Sequence, residues 1–199
     1  MGLPDLLIAS TYGRKDFLDE KQIKSYMIPI GYYPKEHGFP MKVAKDIDVS
    51  FLGTFQVPRR KRLVRKLQKK GIDVFARGDW WDPAFWDENR TNLLNRTKIF
   101  LNIQRNHGEL SGYRFLLGMA NKSLVISEPV YKPNPYIPGV HYVSATIDEM
   151  PDLIRHYLNH ESDRQEIVEN AHQFITTELT LKNSVTQIMD LVNTNILKN

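Results

Sequence analysis

The distribution of apolar and polar positions along the chain predicts strands that alternate with helices. Short apolar runs bounded by glycine or polar residues are typical of buried strands. Such runs lie at 47–53, 72–76, 98–103 and 123–127, with a further candidate at 141–143. The first run ends at Gly53, and Gly71 comes directly before the second.

Segments with apolar residues at helical spacing fill the intervals between these strands and follow the last one. Pro58 begins the first helix, since the first helical turn needs no N–H group from proline. The predicted helices cover 58–70, 87–97, 112–120, 148–158, 162–176 and 182–196. This alternation predicts an α/β domain with a mostly parallel sheet between two helical layers.

Residues 1–45 fit the alternation less well than the rest of the chain. The apolar run at 6–9 predicts a short strand and 27–31 an extended segment, while several prolines interrupt the stretch. We interpret residues 1–45 as a linker or as the remnant of a preceding N-terminal domain. The α/β domain is then expected to cover residues 46–199.

The composition is that of an ordinary globular protein, with 41% hydrophobic and 25% charged residues. The absence of cysteine excludes disulfides and thiolate metal sites. No stretch approaches the roughly 18 apolar residues of a membrane span. The N-terminal residues lack the charged and apolar segments of a signal peptide. We therefore expect a cytoplasmic protein without a membrane span.

Positive charge is concentrated in the first predicted helix. Basic side chains fill much of the stretch from Arg59 to Lys70 without an acid among them, although the net charge of the chain is only +4. Such a field indicates an anionic partner: phosphate, nucleic acid or a membrane surface. Nucleic acid is the least favoured, because Leu63, Val64 and Leu67 hold this helix against a core and no nucleic-acid-binding motif accompanies it.

The turn after the first predicted strand has the features of an anion site. The strand ends at Gly53 and Thr54 follows it. Arg59 and Arg60 lie in the first turn of the next helix. A glycine turn before a helix exposes backbone N–H groups, and arginine contacts phosphate bidentately. The turn is neither a Walker loop nor a dinucleotide-binding glycine turn. A structural turn before a solvated basic helix is the alternative.

A second group of polar residues lies between a predicted strand and a predicted helix, at 102–114. This position is the carboxyl edge of a parallel sheet, where open α/β folds bind ligands. The candidate residues there are Arg105, His107, Glu109, Ser111, Gly112, Tyr113 and Arg114. His107 has the chemistry of a general acid or base or of a metal ligand, but no second histidine stands at ligand spacing from it. An exposed histidine is the simpler interpretation.

An aromatic cluster precedes the helix predicted at 87–97. It comprises Trp80, Trp81, Phe85 and Trp86. Aromatic side chains stack on nucleobases and close binding sites, and they pack equally well against another domain or chain. Both interpretations remain open from the sequence.

Short motifs along the whole chain resemble, in their order, those of glycosyltransferases of the spore-maturation type. The motifs lie at 28–32, 48–53, 95–103, 112–120, 123–129, 138–142 and 171–174. The resemblance implies the C-terminal half of a GT-B fold. That half is a Rossmann-like three-layer domain that binds a nucleotide-sugar donor, requires no metal or other cofactor, and faces an acceptor domain across a cleft.

The resemblance also assigns roles to particular residues. It implies that the diphosphate is bound by Gly53, Thr54, Arg59 and Arg60. It also implies that the sugar and phosphates are approached by Glu109, Ser111, Gly112, Tyr113 and Arg114. From their own chemistry, His107 and Glu109 are the candidate catalytic residues, either of which could orient the sugar.

Two departures from the family pattern bear on activity. Many relatives carry Glu-x7-Glu, whose second glutamate binds the ribose; Glu109 fits the first place, and Leu117 stands in the second. The acceptor domain has no counterpart in the sequence apart from residues 1–45. We therefore expect either a fragment of a longer enzyme or a donor-binding domain that an acceptor-domain partner or a second copy of the chain completes. The alternative is a non-catalytic nucleotide-binding or protein-interaction module.

Overall fold

The computed structural model describes residues 4–54, 57–77, 81 and 86–195. Its strands are β1 (Ile8–Ala9), β2 (Tyr26–Met27), β3 (Ile47–Leu52), β4 (Phe75–Arg77), β5 (Thr97–Asn102), β6 (Leu124–Ser127) and β7 (Val143–Ser144). Its helices are α1 (Tyr12–Glu20), α2 (Pro34–His37), α3 (Pro58–Lys69), α4 (Asp87–Asn95), α5 (Gly112–Ala120), α6 (Met150–Asn159), α7 (Glu161–Thr177) and α8 (Leu181–Asn195). Among these described helices, none has the length and apolar character needed to cross a membrane.

A five-stranded parallel sheet in the order β4-β3-β5-β6-β7 forms the centre of the structure. In its register Ser50 of β3 lies between Phe75 of β4 and Phe100 of β5. β6 and β7 continue the sheet with the same strand direction. Strands β3, β4, β5 and β6 are joined through helices, as parallel neighbours require. The predicted α/β fold with a parallel sheet is therefore confirmed.

Helices cover both faces of this sheet. Alternate strand residues such as Phe51, Ile99 and Leu101 pack against α3, α6 and the first half of α7. The residues between them, such as Leu52 and Phe100, pack against α4 and α5. Because side chains alternate across a strand, each strand buries apolar residues on both faces, which produces the three layers.

The predicted element boundaries agree closely with the structure in most places. The helix predicted at 112–120 is α5 with the same limits. Pro58 is the first residue of α3, and Gly71 follows that helix with a φ of 81°. The strand predicted at 72–76 begins only at Phe75, because pairing with β3 starts there, although Ile72 and Val74 are already buried.

Residues 4–45 contain more regular structure than the sequence predicted: β1 lies within the strand predicted at 6–9, whereas α1 and α2 were not predicted. β1 and β2 form a two-stranded parallel sheet with α1 between them, and α2 follows. The chain then pairs with the α7–α8 connection, where the Tyr32 N–H group donates to Leu179 O at 2.7 Å. The Ser184 hydroxyl donates to Pro29 O at 2.9 Å. The interpretation of residues 1–45 as the remnant of a preceding domain stays a prediction.

Two buried asparagines join this segment to the ends of α4 and α5. The Asn121 amide donates to His37 O at 2.9 Å and to Leu117 O at 2.8 Å. Its oxygen accepts from the Asn95 amide at 2.8 Å, and Asn95 in turn donates to Phe39 O. Both side chains are almost fully buried, so their hydrogen bonds have no competition from water.

We expect Asn121→Ala to lower the free energy of unfolding by about 2 kcal/mol, because it leaves buried partners without hydrogen bonds. Urea unfolding followed by circular dichroism measures the change. The matched control is Asn159→Ala, since Asn159 is an exposed asparagine at the end of α6. Equal stability of the two variants would contradict a stabilising role for the asparagine pair.

Candidate functional site

A cavity of about 450 Å³ opens at the carboxyl edge of the sheet. The segments that follow β3 and β5 form it, together with side chains from α3, α4 and α5. The lining residues are Leu52, Gly53, Thr54, Arg60, Trp86, Arg90, Gln104, Arg105, Glu109, Leu110, Ser111, Tyr113, Arg114 and Leu117. Ligands of open parallel sheets bind at this edge, so the cavity is the candidate functional site.

Gly53 lets a charged side chain approach the backbone at the floor of the cavity. A Cβ atom at this position would stand 3.0 Å from a terminal nitrogen of Arg114 and 2.9 Å from the ring of Phe51. The contact with the ring is closer than real Cβ atoms tolerate, and the contact with the arginine is tighter than most real Cβ contacts. A side chain at this position would therefore push the arginine away from the turn.

Two arginines converge on the same carbonyl oxygen. Arg60 donates from Nε to Ile103 O at 3.0 Å, and Arg114 donates from a terminal nitrogen to the same oxygen at 3.2 Å. Both guanidinium groups lie over the ring of Phe51, with carbon-to-centroid distances of 5.9 and 5.5 Å. Two like charges held this close repel each other unless an anion lies between them.

These two arginines are shielded from water, and their surroundings make their positive charges unfavourable. Burial lowers the pKa of Arg114 to about 9, and the nearby Arg60 adds to that effect. Burial also lowers the pKa of Arg60, and the Glu109 carboxylate acts in the opposite direction on the pKa of both arginines. In the part of the chain that the structure describes, neither arginine forms an ion pair. Buried unpaired cations are costly for a fold, and their presence beside a cavity indicates an anionic ligand.

A hydrogen-bond network holds the loop between β5 and α5. The Glu128 carboxylate accepts from the backbone N–H of Gln104 at 2.9 Å and from Arg59 at 2.9 Å. The Gln104 side chain accepts from the Gly108 N–H at 2.6 Å and donates to Pro129 O at 2.9 Å. The network fixes the loop that carries Glu109 to the cavity.

The wall contributed by α4 and α5 is aromatic. Arg90 donates to the Tyr113 hydroxyl at 2.9 Å, and that hydroxyl donates to a carboxylate oxygen of Glu36. Burial raises the pKa of Tyr113 to about 12, and its bond to Glu36 acts in the same direction. The Arg90 guanidinium also lies over the ring of Trp86, with a carbon-to-centroid distance of 5.7 Å.

The structure brings most of the predicted site residues to this cavity. Those that line it are Gly53, Thr54, Arg60, Glu109, Ser111, Tyr113 and Arg114. Arg59 does not line it, because its guanidinium pairs with Glu128. Gly112 lies within α5 beside Tyr136 rather than on the cavity wall. His107 is exposed and also stands outside the lining, so the structure does not bring it together with Glu109.

A sequence profile of proteins described as glycosyl transferase-like matches residues 59–190, which is more than half of the chain. The chain belongs to this family. No curated protein sequence matches it.

Solved structures of similar fold extend the comparison. A mutant of S. aureus TarM in complex with fondaparinux, alpha-GlcNAc-glycerol and UDP gives a TM-score of 0.74 at 14% identity, over 95% of this chain and 44% of that chain. Anabaena HepE in complex with UDP-glucose gives 0.74 at 10% identity, over 96% of this chain and 64% of that one. Sucrose-phosphate synthase from Thermosynechococcus elongatus gives 0.72 at 12% identity, over 99% and 60%.

These likenesses show the fold, which is that of the C-terminal Rossmann-like domain of GT-B glycosyltransferases. The chain spans between 44% and 64% of the length of these three structures. The predicted fold family is therefore confirmed. The finer assignment to the spore-maturation type stays a prediction.

The cavity also contains residues that the sequence analysis did not identify as candidates. Arg90 and Gln104 reach it from α4 and from the start of the 104–111 loop. Trp86 lies on the wall, as one interpretation of the aromatic cluster proposed, whereas the Trp81 side chain is 81% exposed. Trp80 and Phe85 fall outside the described residues. The one sequence signal for Arg90 is its position four residues after Trp86, a spacing that puts two residues on the same side of a helix.

Leu117 lies on the cavity wall and is nearly buried. It packs against Leu52, Leu94 and Phe100 beneath the ring of Tyr113. The wall at this position is therefore apolar, and any hydrogen bond to a ligand hydroxyl there must come from another residue.

No group of three or more histidine, aspartate or glutamate side chains within the described ranges could hold a metal ion. Metal independence of the reaction stays a prediction.

Proposed function

We propose that the cavity binds a nucleoside-diphosphate sugar and that the chain is the donor-binding domain of a metal-independent GT-B glycosyltransferase. The observation that carries the proposal is a pair of arginines, the buried Arg60 and the half-buried Arg114, which share the Ile103 carbonyl oxygen at the carboxyl edge of the sheet, with Arg114 against Gly53. A diphosphate supplies the negative charge that these guanidinium groups lack, and arginine binds phosphate oxygens bidentately.

The family and the structural neighbours support this proposal. HepE was solved with UDP-glucose, and the TarM mutant was solved with UDP. A cavity of about 450 Å³ falls in the size range of small-molecule sites. The closer likeness to enzymes of the spore-maturation type is part of the same proposal, as is a cytoplasmic location.

During transfer, the bond between the sugar and the diphosphate breaks and negative charge develops on the departing phosphate. In this proposal Arg114, Arg60 and the backbone at Gly53 stabilise that charge. Glu109 lines the cavity as an exposed carboxylate, where it orients sugar hydroxyls. The acceptor site belongs to a partner domain or to a second copy of the chain in this proposal.

A non-catalytic binding module is the second candidate, and Leu117 favours it. An apolar residue at a position where many relatives use glutamate weakens hydrogen bonding to the ligand. Such a module would bind the nucleotide and transfer no sugar.

Calorimetric titration of the purified chain with UDP, GDP, ADP and dTDP tests the proposal. We expect saturable binding of at least one of them, with uridine as the matched control that lacks the diphosphate. Hydrolysis or transfer assays with UDP-glucose then separate the enzyme from the binding module. Absence of binding to all four nucleotides contradicts the proposal, and so does oligonucleotide binding with a steep salt dependence in their place.

A further inference from the structure

Arg90 is a buried arginine on the cavity wall whose hydrogen bonds are incomplete. Its side chain is 95% buried, since the relative exposure of the residue is 5%. One terminal nitrogen donates to the Tyr113 hydroxyl at 2.9 Å, and the other donates to Glu36 O. Within the described part of the chain, its Nε has no acceptor.

Two hydrogen bonds and two aromatic rings hold this guanidinium in place. Its carbon lies 5.7 Å from the centroid of Trp86 and 5.8 Å from that of Tyr113, so it contacts both rings. A guanidinium has five N–H donors, and the bonds to Tyr113 and Glu36 use two of them. The remaining N–H donors of this buried guanidinium are therefore suited to bind a hydrogen-bond acceptor on a ligand in the cavity.

Helix geometry separates Arg90 from Arg114, which lies against Gly53. Tyr113 and Arg114 are consecutive in α5, so their side chains leave the helix about 100° apart. Arg114 turns to Gly53, whereas Tyr113 turns to Arg90. Leu117 lies one turn after Tyr113 and therefore on the same side as Arg90.

The part of the cavity next to Arg90 has the walls that a nucleobase requires. Trp86, Leu52 and Leu117 provide aromatic and apolar surface there. Stacking on such surface accepts any base, because every base has an aromatic face. Discrimination between bases must then come from groups that read the polar edge of the ring.

We propose that Arg90 selects the base, favouring bases whose edge carries carbonyl oxygens, uracil and guanine, over adenine. The inference rests on the proposed binding of a nucleoside diphosphate. Arginine only donates hydrogen bonds, and guanine offers O6 and N7 as a pair of acceptors. Uracil offers carbonyl oxygens at O2 and O4, one on each side of its N3–H group, so that the guanidinium contacts one carbonyl edge at a time. Adenine offers an amino group beside its ring nitrogen, and that donor opposes the guanidinium.

The first test uses the unmodified chain. Calorimetry with UDP, GDP and ADP should give an affinity for ADP at least about tenfold below that of the better of the other two, a difference typical of one well-placed polar contact. Equal or tighter binding of ADP overturns the assignment of Arg90.

The second test uses Arg90→Lys and Tyr113→Phe, with pyrophosphate as a probe of the phosphate end alone. Lysine keeps the charge and loses the planar fork, and phenylalanine removes the hydroxyl that positions it. We expect both variants to lose about tenfold in affinity for UDP or GDP, to bind ADP as before and to bind pyrophosphate as before. The control is Arg96→Lys, an exposed arginine after α4 that pairs with Asp46.

The outcomes separate this inference from the proposed function. Failure of the unmodified chain to bind both UDP and pyrophosphate ends the proposed function itself. Weaker pyrophosphate binding in a folded Arg90→Lys variant shows that Arg90 binds the phosphates. An unchanged preference among UDP, GDP and ADP in that variant shows that Arg90 does not select the base. Either of these results overturns the inference, while binding through Arg60 and Arg114 stands.

Discussion

Arg114→Gln is expected to lower the affinity of the chain for UDP by about 100-fold. The substitution removes charge-assisted hydrogen bonds to the diphosphate, which contribute about 1.5–3 kcal/mol each. Arg114 is held in place by Asn102 and Ile103, at 3.3 and 3.2 Å, and among the described residues its other donors form no hydrogen bond, so they can bind a ligand. Calorimetric titration with UDP measures the loss.

The same substitution should not weaken the fold. A buried cation without a carboxylate partner destabilises the native state, and removing the charge relieves that cost. We expect Arg114→Gln to unfold at the same urea concentration as the unmodified chain or at a higher one. Loss of binding together with unchanged or increased stability is typical of residues kept for function.

The control for Arg114 is Arg62→Gln on the exposed surface of α3. It removes the same charge outside the cavity, so UDP affinity should change less than about twofold because exposed charges are screened. An Arg114→Gln variant that is folded and binds UDP normally would place the diphosphate elsewhere. A variant that is markedly less stable would make Arg114 a structural residue.

The sheet and most of its helices could be predicted because their information is local. α3 begins at Pro58 and has apolar residues on one face, and α5 has the limits that the sequence indicated. α1 was missed for a physical reason: none of its residues is buried, so it shows no apolar stripe. α2 is a single turn after Pro34, too short for periodicity to appear.

The candidate site could be predicted only in part, because its residues meet through tertiary contacts. Arg59 and Arg60 are neighbours in the sequence, yet Arg60 turns to Ile103 while Arg59 pairs with Glu128. Sequence alone gives both the same role, since it does not show which side of the helix faces the cavity. Arg90 has the same difficulty, because its partners Glu36 and Tyr113 come from distant segments.

Gly118 allows α5 to lie close to the sheet, and this closeness sets the position of the cavity wall. A Cβ atom at Gly118 would stand 2.4 Å from a methyl group of Val125 and 3.0 Å from the ring of Phe100. The first distance is far below contact distance for two carbon atoms. A larger residue would therefore lift α5, and with it Tyr113 and Arg114, away from the strands.

We expect Gly118→Val to lower the free energy of unfolding by about 3 kcal/mol or more, because overpacking a dense core forces strained rotamers and backbone shifts. Urea unfolding measures the loss. Gly13→Val is the matched control: Gly13 is also helical, and its nearest neighbour would be a ring carbon of Tyr131 at an ordinary 3.9 Å. That variant should stay within about 0.5 kcal/mol of the unmodified chain.

Val125→Ala should restore part of the stability lost in Gly118→Val, because it removes the methyl group that the new side chain meets. In a double-mutant cycle the two substitutions should couple by about 1–2 kcal/mol in the favourable direction. If the packing of α5 on the sheet positions Arg114, UDP affinity should change in the same way. It should fall in folded Gly118→Val and recover in the double variant with Val125→Ala. Additive losses would mean that α5 adapts without moving, and the glycine would then matter for helix packing alone.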